Sequence, residues 1–170
     1  MWSRFDRLVW WTVLLLLPAF HGDLQAAPEG TVGHDARCAI CGMFVAKYEN
    51  WVVQLRSADD TLLFFDGVKD MMVFYHNPQQ YSRLQQADLN EIWVKDYYSL
   101  EWLDGRKALY VIGSDVYGPM GKEFIPFSSR AAAENFLQDH HGKKIVTFAE
   151  ITDEIVQSMR SGSKMRHGVK

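Results

Sequence analysis

Apolar residues fall along this chain in runs whose spacing switches between alternation and a helical period. Around residue 51, "WVVQLRS" and "DDTLLFF" read as two strands joined by a turn over 57–60, where Asp59 and Asp60 favour local side-chain hydrogen bonds over extended backbone. Next, "DGVKDMMVFYHNP" puts Val68, Met71, Met72 and Tyr75 at helical spacing. This helix closes at Asn77-Pro78, because proline supplies no amide to the ladder. Met71 and Met72 lie within that apolar stripe and are expected in the core. "EIWVKDYYSLEWLDG" then alternates Ile92 and Val94 with Trp93 and Lys95, and "ALYVIGS" opens a further strand.

The same order recurs downstream. In "KEFIPFSSRAAAENFLQDHHGKKIVTFAEITDEIV", "EFIPF" is extended and Ser128 or Ser129 caps a helix running through Gln138. Gly142 stops that helix, "KIVTF" is a strand, and Thr152 starts a last helix. Both "LLFFDGVKDMMVFYHNP" and "FIPFSSRAAAENFLQDHHG" run strand, polar cap, helix, breaker, as a diverged duplication would, with Met43 of "CGM" and Met120 of "GPMG" in comparable places. The expected architecture is α+β, two small ββαβ units in tandem over about 38–104 and 108–155. They would form one domain spanning 27–155, followed by a flexible tail over 156–170.

The first residues follow a different grammar. Arg4 and Arg7 precede an apolar run over 8–20, and "LQAA" supplies small residues for cleavage between Ala26 and Ala27, so 1–26 reads as a cleaved export signal. The run is shorter than the roughly 20 apolar residues a membrane span requires. A lipid anchor would need a cysteine at the cut, and none stands there, so release as an unanchored protein is expected. The net charge is −3, and the basic residues are scattered except in the terminal "RSGSKMRHGVK", which reads as a solvated tail rather than a phosphate-binding stripe, so no nucleic-acid partner is expected.

Both cysteines fall in "HDARCAICGMFVAK". A Cys38–Cys41 disulfide would close too short a ring to remove much unfolded-state entropy. Zinc would want four ligands, whereas there is no second CxxC, and His76, His140 and His141 stand at no zinc-finger spacing. Thiol-disulfide chemistry suits the CxxC frame, yet its usual context is a strand leading into a helix, and here "GMF" breaks any helix at once. Cu(I) prefers thiolate and thioether, and Cys41 and Met43 at i and i+2 can face one ion, with Gly42 letting the backbone bend between them. In "GSDVYGPMGKE", Gly118, Pro119 and Gly121 set Met120 on an exposed turn, as a third soft donor or as a filler between units. His34, four residues before Cys38, is a further candidate ligand or an exposed loop residue.

These residues resemble the NosL family, exported accessory proteins that deliver copper during maturation of nitrous oxide reductase. "CGM" matches the family's C-x-M element, and "LLFFDGVKDMM" resembles its strand-to-helix segment. "YVIGSDVYGPMGKEFIPFSSRAAAENFLQDHHGKKIVTFAEI" resembles its most recognisable stretch. The resemblance implies a compact NosL-like, MerB-like fold and a periplasmic, non-enzymatic metallochaperone with Cu(I) as cargo. It also implies Cys41, Met43 and Met120 as ligands, with Cys38 and His34 as further candidates. The partners it implies are a copper-receiving enzyme, nitrous oxide reductase foremost, and a membrane copper-handling complex. The competing expectation is a periplasmic thiol-disulfide oxidoreductase using Cys38 and Cys41.

Overall fold

A computed structural model describes residues 27–167, with side chains described to Ser161; the expected export signal lies outside the described residues. Strand β1 (Val53–Ser57) turns into β2 (Leu62–Phe65), followed by helix α1 (Val68–His76), β3 (Leu89–Lys95) and β4 (Trp102–Asp104). After β5 (Leu109–Ile112) comes a small hairpin, β6 (Tyr117–Gly118) and β7 (Gly121–Lys122), then β8 (Ile125–Phe127), α2 (Arg130–Asp139), β9 (Lys144–Thr147) and α3 (Asp153–His167). The larger sheet has the order β2-β1-β3-β4 and the smaller one β8-β5-β9, antiparallel throughout.

Each sheet therefore has its unit's first strand at the centre, flanked by the second and third, with a helix connecting the flanking pair. The expected α+β class holds, and the shared ββαβ order is compatible with tandem units. The two methionines, however, are not equivalent. Met43 precedes the first strand of its unit, whereas Met120 lies in a hairpin inserted between β5 and β8.

Local chemistry accounts for the boundaries. The β1–β2 turn passes through Asp60 at φ 64°, and the Ser57 amide donates to the Thr61 carbonyl at 3.0 Å. Ser129 is the serine that caps α2, accepting the Ala132 amide at 3.2 Å. That helix ends differently from expectation. His141, not Gly142, takes the left-handed conformation (φ 53°), and the Gly142 amide closes on the Leu137 carbonyl at 2.8 Å. Glycine is needed at 142 for another reason: a Cβ there would lie 2.6 Å from Val111 Cγ1.

Both units feed one core. Leu55, Phe65, Met71, Met72 and Phe74 pack with Tyr110, Phe124 and Val146 of the second unit and with Val156 and Met159 of α3. On the other face of the smaller sheet, Val111, Ile125 and Phe127 meet Ala133 and Phe136 of α2. Strand β5 is thus covered on both faces, which explains why "LYVI" is continuously apolar instead of alternating. The tail expected from residue 156 is helix as far as His167, and α3 packs on α1 through buried Val156 and Met159, so the folded region extends past 155. No helix among the described residues is long and apolar enough to cross a membrane.

Candidate metal centre

The two cysteines sit in a tight loop, not at a helix head. Arg37 and Phe44 pair across its base, the Cys38 amide donates to the Met43 carbonyl at 2.8 Å, and the Gly42 amide donates to the Cys38 carbonyl at 2.9 Å. Gly42 makes the turn at φ 73°, a conformation that a side chain would strain. Arg37 braces the loop from outside, its guanidinium 3.8 Å from the Phe44 ring centre and Nη1 donating to the Gly42 carbonyl at 2.9 Å. Beyond the base, the Ala39 amide donates to the Phe64 carbonyl at 2.9 Å, fixing the loop on the edge of β2.

Strand β2 ends one residue before Asp66, and Asp70 follows four positions later in the first turn of α1, so the two carboxylates rise on one side of the strand-to-helix corner. Cys41 Sγ donates to Asp66 Oδ2 at 3.5 Å and Cys38 Sγ to Asp70 Oδ2 at 3.6 Å. One ligand atom from each of these four residues lies within 4.8 Å of the others, a grouping that could hold a metal ion. Cys38, Asp66 and Asp70 are buried, and Cys41 forms the exposed rim.

Burial sets the electrostatics. Desolvation pushes the Cys38 thiol well above its ordinary range, although the amides of Cys41 and Ile40 favour its thiolate. Cys41 is also raised, chiefly by burial and further by the charges of Asp66 and Asp70, against the pull of the Met43 amide. Asp70 is raised by burial and then by the neighbouring charge of Asp66. Without metal, both cysteines therefore rest as thiols, the reverse of the activated thiolate a CxxC enzyme uses. Asp66 is 1% exposed, and its Oδ1 has no hydrogen-bond partner among the described residues. A buried acceptor left unpaired is costly, and a cation would satisfy it.

Met43 is half-buried just beyond Gly42, and Met120 occupies the two-residue turn between β6 and β7, 39% exposed. That turn is fastened to α1: Lys69 Nζ donates to the Met120 carbonyl at 2.6 Å and to the Lys122 carbonyl at 2.9 Å. The cysteine loop and the Met120 hairpin thus both attach at the N-terminal end of α1. His34 is exposed and stands outside the four-residue group.

Residues 29–156 match the NosL family model. This chain belongs to the NosL family. The copper-binding lipoprotein NosL of Achromobacter cycloclastes is 32% identical over 112 residues, which cover 61% of this chain and 57% of that protein, short of two thirds of its length. The copper-binding lipoprotein NosL of Stutzerimonas stutzeri is 26% identical over 158 residues, covering 86% of this chain and 76% of that one. The crystal structure of the copper chaperone NosL from Shewanella denitrificans shares the fold, with a TM-score of 0.63 at 24% identity over 75% of this chain and 99% of that one. Both relatives are named lipoproteins, which runs against the expectation of release without a lipid anchor. The two cysteines of this chain both stand in the loop just described.

Sequence reasoning passes over Asp66 and Asp70. Counting only histidines and cysteines leaves zinc without enough ligands, but the structure supplies two carboxylates to the cysteine pair. A signal was available in "DGVKD", which sets three charges at the start of a helix whose next four residues, Met71 to Phe74, are core. For Glu123, which accepts the Lys69 amide from the first unit, no local pattern gives a hint.

Proposed function

We propose that this NosL-family chain is an exported, non-enzymatic carrier of Cu(I), held by Cys41, Met43 and Met120 and passed to a copper-receiving enzyme in the periplasm. The observation that carries this reading is the attachment of two loops with soft donors to one end of α1: Cys41 Sγ reaches Asp66, and the Met120 carbonyl accepts from Lys69. Cu(I) selects thiolate and thioether over carboxylate and imidazole, so Cys41 anchors the ion while two uncharged thioethers complete a soft site. The Cys41 thiol donates to Asp66 Oδ2 at 3.5 Å, so a carboxylate stands beside the proton that the entering ion must displace. Cys38 lies deeper as a further thiol donor, and His34 has no ligand role in this reading.

Delivery needs exchange. Cys41 and Met120 are both exposed, so an incoming donor can reach the ion before an old one leaves. The names of the relatives, copper-binding lipoprotein and copper chaperone, support the same cargo. Nitrous oxide reductase is the proposed client, with a membrane copper-handling complex as a partner in the transfer. Thiol-disulfide catalysis is disfavoured because both thiols are pushed up and neither heads a helix.

The mixed donor group Cys38, Cys41, Asp66 and Asp70 supports one competing cargo, a borderline divalent ion such as zinc. An anaerobic titration of the reduced chain against a chromophoric Cu(I) chelator separates the two. Carriage of Cu(I) requires one tight equivalent, lost in Cys41→Ser and weakened in Met43→Leu and Met120→Leu. Wild-type affinity in all three variants would refute the ligand set. Zinc carriage would be marked by sensitivity to Asp66→Asn and Asp70→Asn with none to Met120→Leu.

A further inference from the structure

We propose that Lys69 and Glu123, neither of them a ligand, are positioning residues that hold Met120 at the copper site; this rests on the Cu(I) reading above. Helix α1 starts after Gly67, which has no side chain to satisfy the first amides. Glu123, 54 positions from Lys69, does so from the other unit: its Oε1 accepts the Lys69 amide at 2.6 Å and the Phe124 amide at 2.9 Å. The Glu123 carboxylate lies so close to Gly67 that a Cβ there would collide with it, and its Cγ is 3.1 Å from where a Cβ on Gly118 would stand. Lys69 completes the clamp by donating through Nζ to the carbonyls of Met120 and Lys122.

The pair has the character of a specificity device. Lys69 is 2% and Glu123 3% exposed, and burying two ionisable groups adds little stability compared with well-packed apolar residues. What the pair does add is geometry. The β6–β7 hairpin has two residues per strand, and a two-stranded hairpin is marginal on its own, so the position of its turn depends on what holds its backbone. The Met120 carbonyl is held directly. Lys69 immediately precedes Asp70, the partner of Cys38, so two consecutive residues of α1 link the thioether hairpin and the cysteine loop. A thioether binds weakly by itself and contributes to affinity only if its backbone is preset.

Chelator competition for Cu(I) tests this with wild type, Met120→Leu, Lys69→Leu and the double variant Lys69→Leu/Met120→Leu, each checked for fold by circular dichroism. Loss of the clamp should weaken Cu(I) binding by about ten- to a hundredfold, the range for residues that orient a ligand. The double variant should bind no more weakly than Met120→Leu alone, because Lys69 acts through that ligand. X-ray absorption should count one sulfur fewer in Lys69→Leu. If loss of Lys69 alone unfolds the chain, Lys69→Leu/Glu123→Gln removes both buried ionisable groups and takes its place. Wild-type affinity on loss of the clamp, with Met120→Leu still weakened, overturns the positioning role alone. Losses that multiply in the double variant overturn it too, since they mark a general structural effect. Absence of Cu(I) binding in wild type, or none of the effect in Met120→Leu, overturns the ligand assignment beneath it.

Discussion

Replacing Glu123 by glutamine should remove a large pH dependence from the stability of the metal-free chain. Burial raises this carboxyl from its ordinary 4.5 to about 8, although Lys69 and two amides pull the other way. Between those values the folded chain holds a proton that the unfolded chain has released. Stability therefore falls as pH rises through the window, with a slope of up to about 1.4 kcal/mol per pH unit. Integrated from 4.5 to about 8, the upper bound is about 5 kcal/mol, comparable to the whole stability of a small domain. Glutamine keeps an acceptor for the Lys69 and Phe124 amides but does not titrate. Urea unfolding of the reduced, chelator-treated protein at pH 5, 6, 7 and 8 should give wild-type stabilities that drop with pH relative to the variant. Parallel curves for the two proteins would refute a proton held at Glu123.

Three further outcomes are expected. Iodoacetamide at neutral pH should modify Cys41 before buried Cys38 and more slowly than an unhindered thiol, with a rate still climbing past pH 9, because Cys41 is raised above 9.0; mass spectrometry reads the site, and rapid labelling at pH 7 would count for the thiol-disulfide alternative. In the proposed Cu(I) site the ion displaces a proton from Cys41, so apparent affinity should rise by about tenfold per pH unit from pH 6 to 8 in chelator competition, and a flat profile would show that no thiol is deprotonated on binding. Phe136→Ala, which empties a site 4.8 Å from the Tyr97 ring and 5.0 Å from Phe127, should lower unfolding free energy by about 3–5 kcal/mol in a thermal or urea melt; a loss below 1 kcal/mol would mean that the second cluster is not tightly packed.

Much of the fold was legible because its signals are local. The apolar period of "VKDMMVFY" and Pro78 bound α1, the Asp-rich turn marks the β1–β2 hairpin, and a serine cap starts α2. Where pattern misled, a tertiary contact intervened. Val156 and Met159 look like the start of a polar tail until α1 offers them a surface, and Met43 and Met120 look equivalent until the second unit is found to carry an inserted hairpin. The cysteine loop was recognisable from C-A-I-C-G-M, since Gly42 is the residue such a turn requires.

The sequence by itself determined the strands and helices of the two ββαβ units, the presence of a thiol pair in a tight loop, and a methionine on an exposed turn. Each depends on neighbours within a few residues. Only the tertiary structure decided that Asp66 and Asp70 meet Cys41 and Cys38, and that Glu123 caps the first turn of α1 through Lys69, 54 positions from it. Burial, desolvation and the proton affinities they set belong to contacts between distant segments, so charges that the local pattern passes over become, in the fold, a buried group that could hold a cation.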